Sequence, residues 1–140
     1  MLDYGLWQQR LKDGLGSSVK KVGFSADIKS VLANAVKATP SIHVIPRDER
    51  AVDMPTTGTN RSRITAGIDV VIIAKDSSDA LGGQAKKNIK SIRDAVYTIL
   101  MGWKPPDATQ PVFFRAGKRI AMHKGLLIWA DTYDCKFIKG

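Results

Sequence analysis

Three things are scarce in this chain of 140 residues: cysteine, glutamate and histidine. The one cysteine, Cys135, excludes an internal disulfide and suits a reducing cytoplasm. Glu49 is the only glutamate, and the two histidines, His43 and His123, have no metal-ligand spacing to Cys135 or to a carboxylate cluster. No stretch approaches the ~20 apolar residues of a membrane span. Residues 1–15 lack a basic segment followed by an apolar run, so no signal peptide is expected. Neither G-x-x-x-x-G-K-[ST] nor G-x-G-x-x-G occurs. Gly82–Gly83 ahead of Lys86–Lys87 is therefore a glycine-rich turn into a helix rather than a phosphate loop. These gaps leave little from which to build a catalytic or metal site.

What the chain has is a single domain's worth of ordinary globular sequence, 44% hydrophobic and 25% charged. Its net charge is +9. Most of the excess lies in residues 61–140, with 14 basic and 7 acidic side chains. Such a balance fits a polyanion, an acidic protein surface, or a basic surface with no partner at all.

The most ordered stretch runs from Ile64 to Lys75. Its even positions, Ile64, Ala66, Ile68, Val70, Ile72 and Ala74, are apolar throughout. Its odd positions begin polar (Arg63, Thr65, Gly67, Asp69) and turn apolar at Val71 and Ile73. Side chains alternate faces along a strand, so this strand is expected to be covered on both faces at one end only. Leu126 to Ile138 repeats the pattern. Leu127, Trp129, Tyr133, Cys135 and Phe137 share one face, interrupted by Asp131, and the other face turns polar at Thr132. The two strands are natural sheet partners.

The remaining elements follow from periodicity and punctuation. Residues 1–14 predict a helix with Leu2, Leu6 and Leu11 on one side and Gly14 at its end. Val19 to Phe24 predicts a short strand. Ser25 predicts an N-cap for a helix whose stripe is Ile28, Val31, Leu32, Ala35 and Val36. Ile42 to Ile45, flanked by Pro40 and Pro46, predicts a strand at a sheet edge. A helix over 84–101 buries Ala85, Ile89, Ile92, Val96, Ile99 and Leu100 and stops at Gly102. Val112–Arg115 and Arg119–His123 around Gly117 predict a hairpin. Residues 47–60 show no periodicity and predict a flexible loop, which with the polar start of the next strand makes a projecting arm. The expected fold is α/β (α+β): one domain over 1–140, with a central mixed or antiparallel sheet flanked by helices and a projecting β-arm or long loop.

The candidate contact residues are Arg47, Arg50, Arg61, Arg63, Asp69 and Asp131. The arginines flank the loop and suit a phosphate backbone or an acidic partner. Asp69 and Asp131 could do acid–base work as a carboxylate pair. The alternative is that each marks where its strand leaves the core, pairing with Arg61, Arg63 or a neighbouring subunit. Cys135 falls on an apolar strand face, where an inert core thiol is expected. The aromatics fall mostly on inward positions rather than forming a base-stacking platform.

Three stretches in order carry a resemblance: Gly67-Ile-Asp-Val-Val-Ile-Ile, Leu100-Met-Gly-Trp-Lys-Pro-Pro, and Gly125-Leu-Leu-Ile-Trp-Ala-Asp-Thr-Tyr. Over about residues 64–137 the chain resembles the bacteriophage tail terminator (tail completion) family of minor tail proteins. The resemblance implies a small α/β subunit that assembles into a ring, commonly of six. It implies a place in the virion, at the head-proximal end of the tail, after assembly in the host cytoplasm. There the ring ends tube polymerisation and presents a surface to the head-completion or connector protein. It implies the tail tube protein as a partner, no cofactor and no enzymatic step. The basic charge is not a family requirement and keeps a nucleic-acid-binding module, or a transient DNA contact, as the rival reading.

Overall fold

The computed structural model describes residues 1–33, 39–53, 61–75, 83–123 and 125–140, with side chains for all of these except 52, 53, 75, 83–88 and 123. In order, the chain forms α1 (Tyr4–Leu15), β1 (Lys21–Phe24), α2 (Ile28–Ala33), β2 (Ser41–Pro46), β3 (Arg50–Asp53), β4 (Ser62–Lys75), α3 (Gly83–Leu100), β5 (Phe113–His123) and β6 (Leu126–Lys139). The sheet runs β1-β2-β4-β6-β5, with β3 also paired to β4. Only β1 and β2 are parallel, so the sheet is mixed.

β4 and β6 pair antiparallel in unbroken register from Ser62↔Lys139 to Lys75↔Leu126. Their alternation sorts the core as the sequence predicts. On one face the even residues of β4 join Tyr133, Cys135 and Phe137 of β6, Trp7, Leu11 and Leu15 of α1, and Ile92, Val96 and Leu100 of α3. On the other face Val71, Ile73, Leu126, Ile128 and Ala130 meet Ile45 and the α2 residues Val31 and Ile28. The described part of α2 ends at Ala33. Burying a side chain such as Val31 is worth about 2 kcal/mol, so packing on the sheet holds it. Beyond Ala130 the second face has no helix above it among the described residues.

Several local expectations change. Asp3, not the chain start, caps α1, and Gly16 (φ 53°) ends it while Gly14 lies inside. Leu6 is 40% exposed, and the buried stripe is Tyr4, Trp7, Leu11 and Leu15. Asp27, not Ser25, caps α2 by accepting from the Ser30 N–H at 2.8 Å, while the Ser25 N–H donates to Val44 O. β2 is interior, between β1 and β4; Pro40 precedes it, and Pro46 is its last residue, opposite Ile68 at the end of the ladder with β4. Arg50–Asp53, expected within a flexible loop, is a strand on β4. The rest of that loop, 54–60, lies outside the described residues, as do 34–38 with Ala35 and Val36, and Gly82 and its turn.

The hairpin expected at Gly117 is instead one strand, β5, with register shifts at 114/116 and 119/121. Gly117 pairs with Asp131, and a Cβ there would collide with Asp131 Oδ1 and lie 2.8 Å from Arg93 Nη2. The glycine serves close approach, not a turn.

His43 is buried in β2, with Nε2 3.1 Å from Ser41 Oγ. Burial, with Lys21 adding to it, holds its pKa below the ordinary value. The folded state therefore prefers the neutral ring. Its contribution to stability is complete above the unfolded pKa of about 6.5 and is lost as pH falls below that. Urea midpoints should drop between pH 7.5 and 5.5, and His43→Gln should flatten that drop. An unchanged slope in the variant would remove His43 as its source. Val96 is fully buried between α3 and β4. Val96→Asp should cost about 4 kcal/mol or more, and a soluble variant with an unchanged melting curve would show the helix face to be wrong.

Candidate functional site

The uncovered half of the second sheet face forms a trough of 1180 Å³. That exceeds the roughly 300–1,000 Å³ of a small-molecule pocket and suits a protein segment better. β2 ends at Pro46, and Arg47–Glu49 cross to β3 along one rim. The Arg47 N–H donates to Gly67 O at 2.9 Å and pins this crossing to β4. Arg115–Lys118 of β5 make the other rim, and Thr65, Asp69, Thr132 and Asp134 lie in the floor.

The floor is a set of cross-strand pairs. Thr132 faces Asp69 in the register and its hydroxyl donates to Asp69 Oδ1 at 2.7 Å. Arg47 Nη1 approaches the same oxygen at 3.6 Å. Asp134, 4% exposed, accepts from Arg115 Nη1 at 3.2 Å. It sits opposite Gly67, where any Cβ would meet Asp134 Cα at 2.9 Å and collide with Tyr133 O. Thr65 Oγ1 is buried without a hydrogen-bond partner.

Asp131 is on the opposite face of β6. It accepts from Arg93 Nε at 2.8 Å, Arg93 Nη2 at 3.0 Å and Trp129 Nε1 at 2.9 Å. The same guanidinium lies 4.3 Å from the Trp129 ring centroid. This fork and stack geometry is specific to arginine. The structure therefore separates the two carboxylates that the sequence pairs as possible acid and base. Asp69 and Asp131 lie on different faces, and each has its own arginine. Asp131 is engaged by Arg93 of α3, not by Arg61 or Arg63, and is only 1% exposed.

Of the remaining candidates, Arg47 is bound to Asp69, and Arg50, Arg61 and Arg63 are exposed around the β3–β4 arm. The register puts Arg50, Thr65 and Lys136 in one cross-strand row. Arg93, Arg115 and Thr132 escaped the sequence reading. Only Thr132 had a signal there, as the residue that pairs with Asp69 once the two long strands are aligned.

Cys135 and His43 do not line the trough. Burial pushes the Cys135 thiol up to about 11, and its Sγ donates to Gln110 O. Cys135 lies opposite Ala66 on the helix-covered face, whereas His43 lies opposite Val71 on the other face. Those two cannot form a nucleophile pair. No group of three metal-ligating side chains occurs among the described residues. Among them, too, no helix is long and apolar enough to cross a membrane. The arrangement can bind, through ion pairs and main-chain groups.

The class defined by this half-covered sheet and its polar trough is an assembly protein. The chain belongs to the phage tail terminator protein family, which matches it over residues 1–140. It is thus a structural phage tail protein with a place in the virion, and its family is not an enzyme class. A chain of the solved virion of a native gene transfer agent particle is similar in fold, with a TM-score of 0.52 and 13% identity over 96% of this chain and 91% of that one. No curated protein matches the chain.

Arg93→Ala would leave Asp131 charged and buried, and should destabilise the fold by about 3 kcal/mol. Arg93→Lys keeps the charge but loses the fork and the stack, so it should recover only part of that. Full recovery by lysine in a urea titration would reduce the contact to a point charge.

Proposed function

We propose that the protein forms a ring, of six subunits as its family resemblance implies, that caps the head-proximal end of the tail tube. The ring ends tube polymerisation and presents a surface to the head-completion or connector protein. The observation that carries this reading is the family match over the whole chain. The half-covered sheet supports it. A face that has ordered polar pairs, a buried unpartnered hydroxyl and, beyond Ala130, no covering helix among the described residues is suited to a protein that completes it.

The electrostatics of the trough argue against nucleic acid as its occupant. Arg47, Arg50, Arg115 and Lys118 are matched there by Asp48, Glu49, Asp69 and Asp134. A balanced lining gives register and partner choice rather than attraction for a polyanion. Within the arm, Arg50 and Arg61 are the residues proposed to reach the tube or connector. Arg47, Asp69 and Asp131 act inside the protomer.

Purified protein added to polymerising tube protein should stop elongation and leave a ring at one end of each tube in electron micrographs. Arg50→Glu with Arg61→Glu should leave the melting curve unchanged and reduce capping about tenfold or more. Tubes that grow on undisturbed in the presence of wild-type protein would overturn the capping role. A monomer that binds DNA with a steep salt dependence would favour the nucleic-acid reading instead.

A further inference from the structure

We propose that the ring contact joins the β5 edge of one copy to segment 48–53, the β3 edge, of the next copy. The inference rests on the ring reading above and names the surfaces that would close it.

Among the described residues, β3 pairs only with β4 and β5 only with β6. The run β3-β4-β6-β5 therefore has a free edge on each side. Edge strands present unpaired N–H and C=O groups, and proteins protect such edges with charge and bulges. β5 has both. It bears Arg115, Lys118 and Arg119, no carboxylate, and two register shifts. Segment 48–53 has the opposite character, with Asp48, Glu49 and Asp53 against one cation, Arg50.

Arg115 is already committed to Asp134. Lys118 and Arg119 are exposed and form no ion pair among the described residues, and the same holds for Asp48 and Glu49. Two β5 edges meeting about a two-fold axis would set like charges against each other. A basic edge against an acidic edge is attractive, and it is a contact between two different surfaces. Repetition of such a head-to-tail contact closes a ring or builds a filament. Main-chain pairing would supply adhesion, and the charges would select the right edge.

The test uses full-length protein, size-exclusion chromatography with light scattering, and two charge-reversed variants. Lys118→Glu with Arg119→Glu, and Asp48→Lys with Glu49→Lys, should each keep the wild-type melting curve yet elute as monomers. An equimolar mixture of the two should restore the ring, because each variant then offers its neighbour a complementary edge. The variant with all four reversals should form a ring by itself. Two folded variants that still form wild-type rings would overturn this contact and leave the ring intact. Folded monomeric variants that do not reassemble on mixing would also overturn it. A wild-type protein that stays monomeric at every concentration would overturn the ring and this contact together.

Discussion

Fourteen consecutive residue pairs hold β4 to β6, and the rest of the molecule is arranged by what can cover so long a ladder. At roughly 3.3 Å per residue the pair is about 45 Å long, near the upper end of strand lengths. α1 and α3 pack on one face, together with Ala108 and Val112 from the segment after α3. On the other face, among the described residues, α2 is packed over Val71, Ile73, Ile128 and Ala130. Where that cover stops, the outward residues change from apolar to Asp69, Thr132 and Asp134. The trough is therefore a consequence of sequence alternation. Polar residues on the sheet's second face could be left without a helix, and they were paired with one another instead.

The Arg93–Asp131 contact explains how α3 stays over this ladder. A buried ion pair is weak evidence for net stability, because desolvation offsets much of the attraction. Its geometry has other uses. The carboxylate takes three donors, and the guanidinium stacks on Trp129. The arrangement fixes the rotation of α3 against β6 and requires a residue without a side chain at Gly117 in β5. One cluster thus ties a helix, a central strand and an edge strand together. An apolar substitute of similar volume could fill the space but would not hold the helix in one rotation.

The long strands and α3 were legible because periods of 2 and 3.6 are sustained over more than ten residues. The partial second core was legible as well, since Val71 and Ile73 break the polar alternation only at one end. What failed was short or ambiguous. β3 is four residues of mixed polarity, paired at the ladder's polar end, so no apolar face announced it. Gly117 signals a turn and a close approach equally well, and only the position of Arg93, far away in sequence, decides between them. Pro40 and Pro46 suggested an edge, but Pro40 lies before β2 and Pro46 takes its last position, at the end of the ladder with β4. The partner of Asp131 was beyond reach for the same reason as Gly117. Thr132 could have been found, since aligning the two long strands places it opposite Asp69.

Charge shows the limit of composition most clearly. A net +9 invites a polyanion, yet the trough contains as many carboxylates as cations. The carboxylates in its floor, Asp69 and Asp134, are drawn inward and each has an arginine. The exposed charges differ from one rim to the other, with Asp48 and Glu49 beside Arg50 on one side and Arg115 and Lys118 on the other. Such a polarity vanishes in any sum over the chain. It survives as a direction across the sheet, from an acidic edge to a basic one. In the proposed ring contact, unlike edges suit a head-to-tail join. For the proposed ring contact, what counts is where the charge changes sign, and that depends on the pairing of β3 and β5 to the central ladder rather than on the amount of charge.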